Sequence, residues 1–181
     1  MIKSSSKNAA YSEGSITTAP IISKTKKGTP MLKDLVEKNH VLFAKSAENW
    51  QEAIRLSCRP FVDDGTVSEE YAEDVIRCIN KYGPYIVLIP GVAMPHSQEG
   101  GPLVHGTEIS FMKLEKPVSF DESDPDKWAD LFFAIAANDP AEHLKNIQDL
   151  MEVFLNEELL QALRKASCAE ELLALAEKYG V

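Results

Sequence analysis

The stretch from Lys81 to His96, Lys-Tyr-Gly-Pro-Tyr-Ile-Val-Leu-Ile-Pro-Gly-Val-Ala-Met-Pro-His, constrains this chain more than any other. Tyr82-Gly83 reads as a helix end and Tyr85 to Ile89 as a buried strand. Pro90-Gly91 follows as a turn, and a stiff exit delivers His96. The apolar run is short, β-branched and bounded by Gly and Pro on both sides, which favours a strand covered on both faces over a helix segment. A side chain just beyond such a strand stands where open α/β sheets place their ligand chemistry. Pro95 fixes its own φ and disfavours a helical Met94, so the backbone carrying the imidazole is expected to be rigid.

The flanking segments supply the rest of an α/β domain. Met31 to Lys38 suits a short helix with Leu32, Leu35 and Val36 inward, and His40 to Phe43 a short strand. Ser46 is expected to cap a helix carrying Trp50, Ala53, Ile54, Ser57 and Phe61 on one face, ended by Pro60 and Asp63-Asp64-Gly65. Ser68 with Glu69 and Glu70 starts the next helix, whose stripe is Tyr71, Val75 and Ile79 beside Ala72 and Ile76. After the Ser97 to Pro102 loop, Thr107 to Leu114 is expected as a strand, with Val118 to Phe120 a short partner beyond the Glu115-Lys116-Pro117 turn. Asp121 to Lys127 reads as an acidic solvated connection.

Leu131 to Ala137 is the second strongly apolar strand, and it runs into Asn138-Asp139-Pro140. Asp139 suits an N-cap, Pro140 the first helical position, and Glu142 a capping-box spacing. His143 then falls in the first turn of a helix that begins at a strand end. Leu144, Ile147, Met151, Phe154 and Leu155 are its expected core face. Asn156 caps a helix with Leu159, Leu160 and Leu163; Ser167 and Glu170 box the last, with Leu172, Leu173 and Ala176 inward. Strand-to-helix transitions at the core point to an α/β, three-layer sandwich, a mixed β-sheet flanked by helices.

Residues 1–30 differ in kind, rich in Ser, Thr, Lys and Gly, and read as a flexible basic N-terminal arm before a domain at 31–181. A net charge of −9 argues against nucleic acid or anionic lipid as partners. No run approaches a membrane span, and the N-terminus has no secretory h-region. Cys58, Cys78 and Cys168 are an odd, dispersed set with no C-x-x-C pair, as expected of idle thiols in a reducing cytoplasm.

Four histidines occur, at 40, 96, 105 and 143. His96 and His143 sit at the mouths of the two most apolar strands, and neighbouring strands would bring them together. Such a pair can support covalent phosphoryl transfer through phosphohistidine, with the positive end of a helix beside it. It can equally be half of a metal site, or two satisfied, non-catalytic histidines. Metal is the weaker reading, because no H-x-x-x-H, H-E-x-x-H or Cys–His spacing is present. Ser97 lacks a G-x-S-x-G elbow. His40 and His105 read as structural or surface side chains.

Pro90-Gly91-Val92-Ala93-Met94-Pro95-His96 resembles the phosphorylation motif of the enzyme IIA components of the bacterial phosphoenolpyruvate-dependent sugar phosphotransferase system (PTS), mannitol/fructose class. The lead-in Tyr82-Gly83-Pro84-Tyr85-Ile86-Val87 is similar to the ascorbate branch, and the likeness runs from about Met31 to the C-terminus. The resemblance implies a cytoplasmic phosphocarrier in which His96 is the phospho-acceptor, as a tele-phosphohistidine. Phospho-HPr would be the donor, a cysteine of enzyme IIB the acceptor, and His143 the residue that stabilises the phosphoryl group. It further implies uptake of ascorbate or a related sugar with a membrane IIC component, a possible homodimer, and no cofactor or metal. A regulatory module that uses the same histidine without a dedicated transporter is the alternative. Many ascorbate-type members continue after the histidine as Ala-Arg-Pro. Here Ser97-Gln98-Glu99 stands instead, so a basic side chain is replaced by an uncharged donor and by a carboxylate that would repel a dianion. Both partner proteins are expected to dock on one shallow apolar surface at His96, with Val92, Met94 and the glycine loop in it.

Overall fold

The computed structural model describes residues 30–181; the expected arm at 1–30 lies outside them except for Pro30. The described residues form a mixed five-stranded sheet between two helical layers, the three-layer α/β sandwich expected. The strands are β1 (Val41–Ala44), β2 (Val87–Ile89), β3 (Gly91–Ala93), β4 (Glu108–Ser119) and β5 (Trp128–Ala136), in the order β1-β4-β5-β3-β2. β1 runs parallel to β4 and β3 parallel to β5, while β4–β5 and β2–β3 are antiparallel. Helices α2 (Trp50–Asp63) and α3 (Tyr71–Tyr82) cover one face; α1 (Met31–Glu37), α4 (Pro140–Phe154), α5 (Glu157–Lys165) and α6 (Ala169–Tyr179) cover the other.

β5 shows why the sheet is central. Phe132, Ala134 and Ala136 point to the α2–α3 layer, whereas Leu131, Phe133 and Ile135 point to the opposite core. Period-2 alternation with apolar residues on both faces is what a strand covered twice requires. Phe133 packs between Phe111 and Phe154, with ring centroids 5.1 and 5.3 Å away.

Several boundaries differ from the sequence reading, each for a local reason. The run from Tyr85 to Ile89 is not the covered strand. Pro90 breaks a tight hairpin, β2 lies at the sheet edge with Leu88 exposed, and β3, the expected exit, is the buried strand beside β5. Gly91, at φ +89°, makes that reversal possible. Thr107–Leu114 and Val118–Phe120 are not two strands: β4 continues through Pro117 with an irregularity between Lys113 and Val118. Asn49 rather than Ser46 caps α2, accepting from Glu52 N at 2.9 Å, and Pro60 lies inside that helix. α3 begins at Tyr71, a turn later than Ser68 implied. Glu171 rather than Glu170 bonds back to Ser167 N, at 2.6 Å.

The face of α4 is also rotated. Leu150, Val153 and Phe154 are buried, while Leu144, Met151 and Leu155 face solvent. Two apolar stripes run along this helix, and only docking on β5 and α5 chooses between them.

Candidate functional site

The parallel β3–β5 pair ends both strands at the same edge of the sheet, where His96 follows one and α4 follows the other. Pro95 O accepts from Ile135 N at 2.8 Å, which carries the pairing two residues beyond β3. Asp139 caps α4 by accepting from the N–H groups of Ala141 (2.8 Å) and Glu142 (3.0 Å). His143 is thereby fixed in the first turn. Its ring centroid stands 5.5 Å from that of His96 at an interplanar angle of 51°. The two histidines singled out by their strand-end positions are neighbours in space. They share an open depression of about 490 Å³ with Ser97, Gln98, Gly100, Gly101, Asn138 and Asp139.

The hydrogen bonds of His96 define its tautomer. Nδ1 lies 2.8 Å from Met94 O, an acceptor without a proton, so Nδ1 carries the hydrogen and Nε2 keeps its lone pair. Tyr85 packs edge-on against the ring, with centroids 5.1 Å apart at 85°. Burial lowers the His96 pKa below the ordinary 6.5; the Met94 carbonyl opposes the shift and the neighbouring His143 adds to it. Burial likewise lowers His143. Both rings are therefore neutral near pH 7, the state in which an imidazole is a nucleophile.

The loop after His96 is anchored to α3. Ser97 Oγ donates to Asp74, a buried carboxylate that also pairs with Arg77, and Glu99 N donates to Ser97 Oγ at 3.0 Å. Glu99, expected to oppose a dianion, is instead held by Lys81 Nζ and Tyr82 Oη, each at 2.5 Å, at the end of α3. Gln98 lines the depression, and among the described residues no lysine or arginine does. The start of α4 offers no spare amide there. Pro140 has none, Ala141 and Glu142 are bonded to the Asp139 side chain, and His143 N is bonded to Asp139 O at 2.9 Å. The helix thus contributes its first-turn side chain to the site rather than its N–H groups.

Sequence reasoning passed over Tyr71 and Asp74 as site residues. One signal was present: Asp74 falls on the buried stripe of α3 between Tyr71 and Cys78, where a carboxylate needs a partner. The expected apolar docking patch of Val92 and Met94 does not exist, because both are buried in the core under α4 and α5. Full coverage of β3 on both faces turns Val92 and Met94 inward. His40 is structural, buried with Nδ1 donating to Ile109 O at 3.0 Å and Nε2 2.7 Å from Asp64 Oδ2, and His105 is exposed, beside Ser68 Oγ at 3.0 Å. All three cysteines are free thiols. Among the described residues no His/Cys/Asp/Glu cluster could hold a metal ion, and no helix is long and apolar enough to cross a membrane.

The mixed sheet, with two imidazoles at adjacent strand ends on a Pro-Gly hairpin and a Pro-His exit, agrees with the resemblance to phosphotransferase-system IIA components. The chain belongs to the family described as "Phosphoenolpyruvate-dependent sugar phosphotransferase system, EIIA 2", whose model matches residues 34–179. Members of this family are phosphotransferase components that carry a phosphoryl group. The chain is 31% identical over 147 residues to the ascorbate-specific PTS system EIIA component of Escherichia coli K12, covering 80% of this chain and 93% of that relative. Its fold is similar to the solution structure of the mannitol-specific cryptic phosphotransferase enzyme IIA CmtB of Escherichia coli. There the TM-score is 0.71 at 32% identity, over 82% of this chain and 99% of that one. It is also similar to the mannitol enzyme IIA solved in complex with phosphorylated enzyme IIB, again from Escherichia coli. That match has a TM-score of 0.66 at 26% identity, over 77% of this chain and 94% of that one.

Proposed function

We propose that this chain accepts a phosphoryl group from phospho-HPr on Nε2 of His96 and passes it to a cysteine of an enzyme IIB, serving uptake of ascorbate or a related sugar. The observation that carries the reading is the His96 tautomer, with Nδ1–H spent on Met94 O and Nε2 left as a lone pair beside His143. In the first step that lone pair forms the new N–P bond as the donor's P–N bond breaks and its electron pair returns to the donor imidazole. The ring keeps its Nδ1 hydrogen, and the Met94 carbonyl stabilises the positive charge that develops on it. In the second step a thiolate of enzyme IIB attacks phosphorus and the Nε2–P bond breaks, restoring neutral His96. His143 donates an N–H to a phosphoryl oxygen, and Gln98 offers a second, uncharged donor. Transfer of this kind needs alignment and charge stabilisation more than covalent machinery, which suits an open depression reached by two partners in turn. The named complex of the mannitol relative with phosphorylated enzyme IIB supports that class of acceptor, and the ascorbate-specific relative supports that substrate class.

The test is phosphate incorporation from phosphoenolpyruvate through purified enzyme I and HPr. Wild type is expected to take up acid-labile phosphate, His96→Gln none, and His143→Ala to label at least tenfold more slowly. An unlabelled wild type in the presence of competent HPr would end the carrier reading.

A further inference from the structure

The peptide group that joins His96 to Ser97 is held at both ends by tyrosine hydroxyls from separate parts of the chain. Tyr85 Oη, from the lead-in to β2, donates to His96 O. Tyr71 Oη, from the first turn of α3, accepts from Ser97 N at 3.3 Å and spends its own hydrogen on Ile135 O of β5 at 2.7 Å. Burial raises both hydroxyls well above the ordinary tyrosine value, so both remain protonated. On the other side of the ring, Pro95 O is bonded to Ile135 N and Met94 N to Ile86 O at 2.9 Å. His96 is thus tied to β5 from both directions. Ile135 N holds the chain before it, and Ile135 O, through Tyr71, holds the chain after it.

We infer that Tyr71 and Tyr85 are positioning residues for His96: gripping the 96–97 peptide fixes the backbone torsions from which the ring hydrogen-bonds Met94 O and aims Nε2 into the depression. Tyr85 acts twice, since its ring also forms the edge-on wall against the imidazole. This inference rests on His96 being the acceptor. An attacking atom held within a few tenths of an ångström of its line of approach needs a backbone that does not swing, and a misplacement of about 1 Å can cost roughly a hundredfold in rate. The exposed depression supplies no wall of its own on the solvent side, so the restraint has to come from behind the ring.

The experiment compares wild type, Tyr85→Phe, Tyr71→Phe and the double variant in two assays. In the first, kcat and KM for phospho-HPr are measured by rapid quench. The single variants are expected to lose about tenfold in kcat and the double variant up to about a hundredfold, with KM for HPr within twofold of wild type. In the second, nitrogen-15 NMR of labelled histidine follows the unphosphorylated protein. Wild-type His96 is expected to show one tautomer with hydrogen on Nδ1, and the variants a mixture. Unchanged kcat with an unchanged tautomer would overturn the inference, as would a rise in KM alone, which is the mark of a docking role. Should Tyr71→Phe fail to fold, Tyr85→Phe decides, since its hydroxyl is only half-buried. If wild type itself takes up no phosphate, the carrier reading falls, and the tautomer comparison still decides whether the grip positions His96.

Discussion

Gly91 opens β3, the strand that leads to His96, and its substitution by alanine tests whether the hairpin geometry is as tight as it stands. At φ +89° an L-residue is strained by about 1–2 kcal/mol. A Cβ built there would also fall 2.2 Å from Arg164 Nη2 and 2.9 Å from Trp128 Cη2, both inside contact distance. Arg164 cannot simply swing aside. Its Nε is 3.1 Å from each Asp130 oxygen, and the two side chains are only 21% and 16% exposed. Moving the guanidinium leaves Asp130 largely buried and unpaired, at a cost of about 2 kcal/mol once partial solvation is allowed for.

Gly91→Ala is therefore expected to cost about 4 kcal/mol, enough to lower Tm by roughly 10 °C in a domain of this size. A double-mutant cycle by urea unfolding separates the causes. Arg164→Ala alone should cost about 2 kcal/mol, yet the double variant only about 4, because the alanine methyl no longer displaces a pair that is already gone. The coupling of about 2 kcal/mol is the diagnostic quantity. Strictly additive losses, within about 0.5 kcal/mol, would refute the Arg164 contact; a Gly91→Ala cost below about 1 kcal/mol would refute the strained turn as well.

Three further outcomes are expected. Asp139→Ala removes the acceptor for two amides at the start of α4, so it should destabilise by about 1 kcal/mol in urea unfolding, and restoration by Asp139→Ser or Asn would identify the cap as the cause. Leu150→Ala should cost about 2–5 kcal/mol, whereas Leu155→Ala should stay within about 0.5 kcal/mol; the reverse order would restore the other face of α4 as the buried one. Burial holds both site histidines below 6.5, so the unfolded chain binds more protons in mild acid. Their contribution to stability is full above pH 6.5 and is lost as pH falls through the native values. Unfolding midpoints should drop between pH 7 and 5, less so in His96→Gln/His143→Gln, and a wild-type midpoint that rises toward pH 5 would contradict the burial argument.

The sequence made legible those parts of the fold whose chemistry is local. Asp139 and Asn156 cap the helices they were read to cap, with Asn156 accepting from Leu159 N at 3.0 Å, because an N-cap is defined within four residues. The position of His143 followed from that cap, and that of His96 from Pro95, so both candidate residues were placed by local rules. What resisted reading was every choice that another element makes. Whether Leu144 or Leu150 is buried depends on which side of α4 meets β5, and either stripe satisfies the helical period. Whether Tyr85–Ile89 or Gly91–Ala93 is the covered strand depends on which one pairs with β5, and both are apolar. Val92 and Met94 were placed on a docking surface for the same reason, since their exposure is a property of α4 and α5 rather than of the motif that contains them.

That division explains why the two candidate histidines were legible and the residues around them were not. A histidine at a strand mouth is visible in one dimension. Asp74, Tyr71 and Tyr85 act on it from 22, 25 and 11 residues away along the chain, across α3 and the hairpin. Glu99 illustrates the consequence for charge. Read along the chain, it sits three residues from His96 and opposes a dianion; in the fold, its carboxylate is engaged by Lys81 and Tyr82. With Ser97-Gln98-Glu99 after the histidine, the depression has no lysine or arginine in its described lining, and the Glu99 carboxylate is engaged elsewhere. In the transfer proposed above, the neutral donors His143 and Gln98 would meet the phosphoryl oxygens. Under that proposal the charge would be stabilised less than by a guanidinium and the N–P bond given up more readily, as suits a carrier that must release what it accepts.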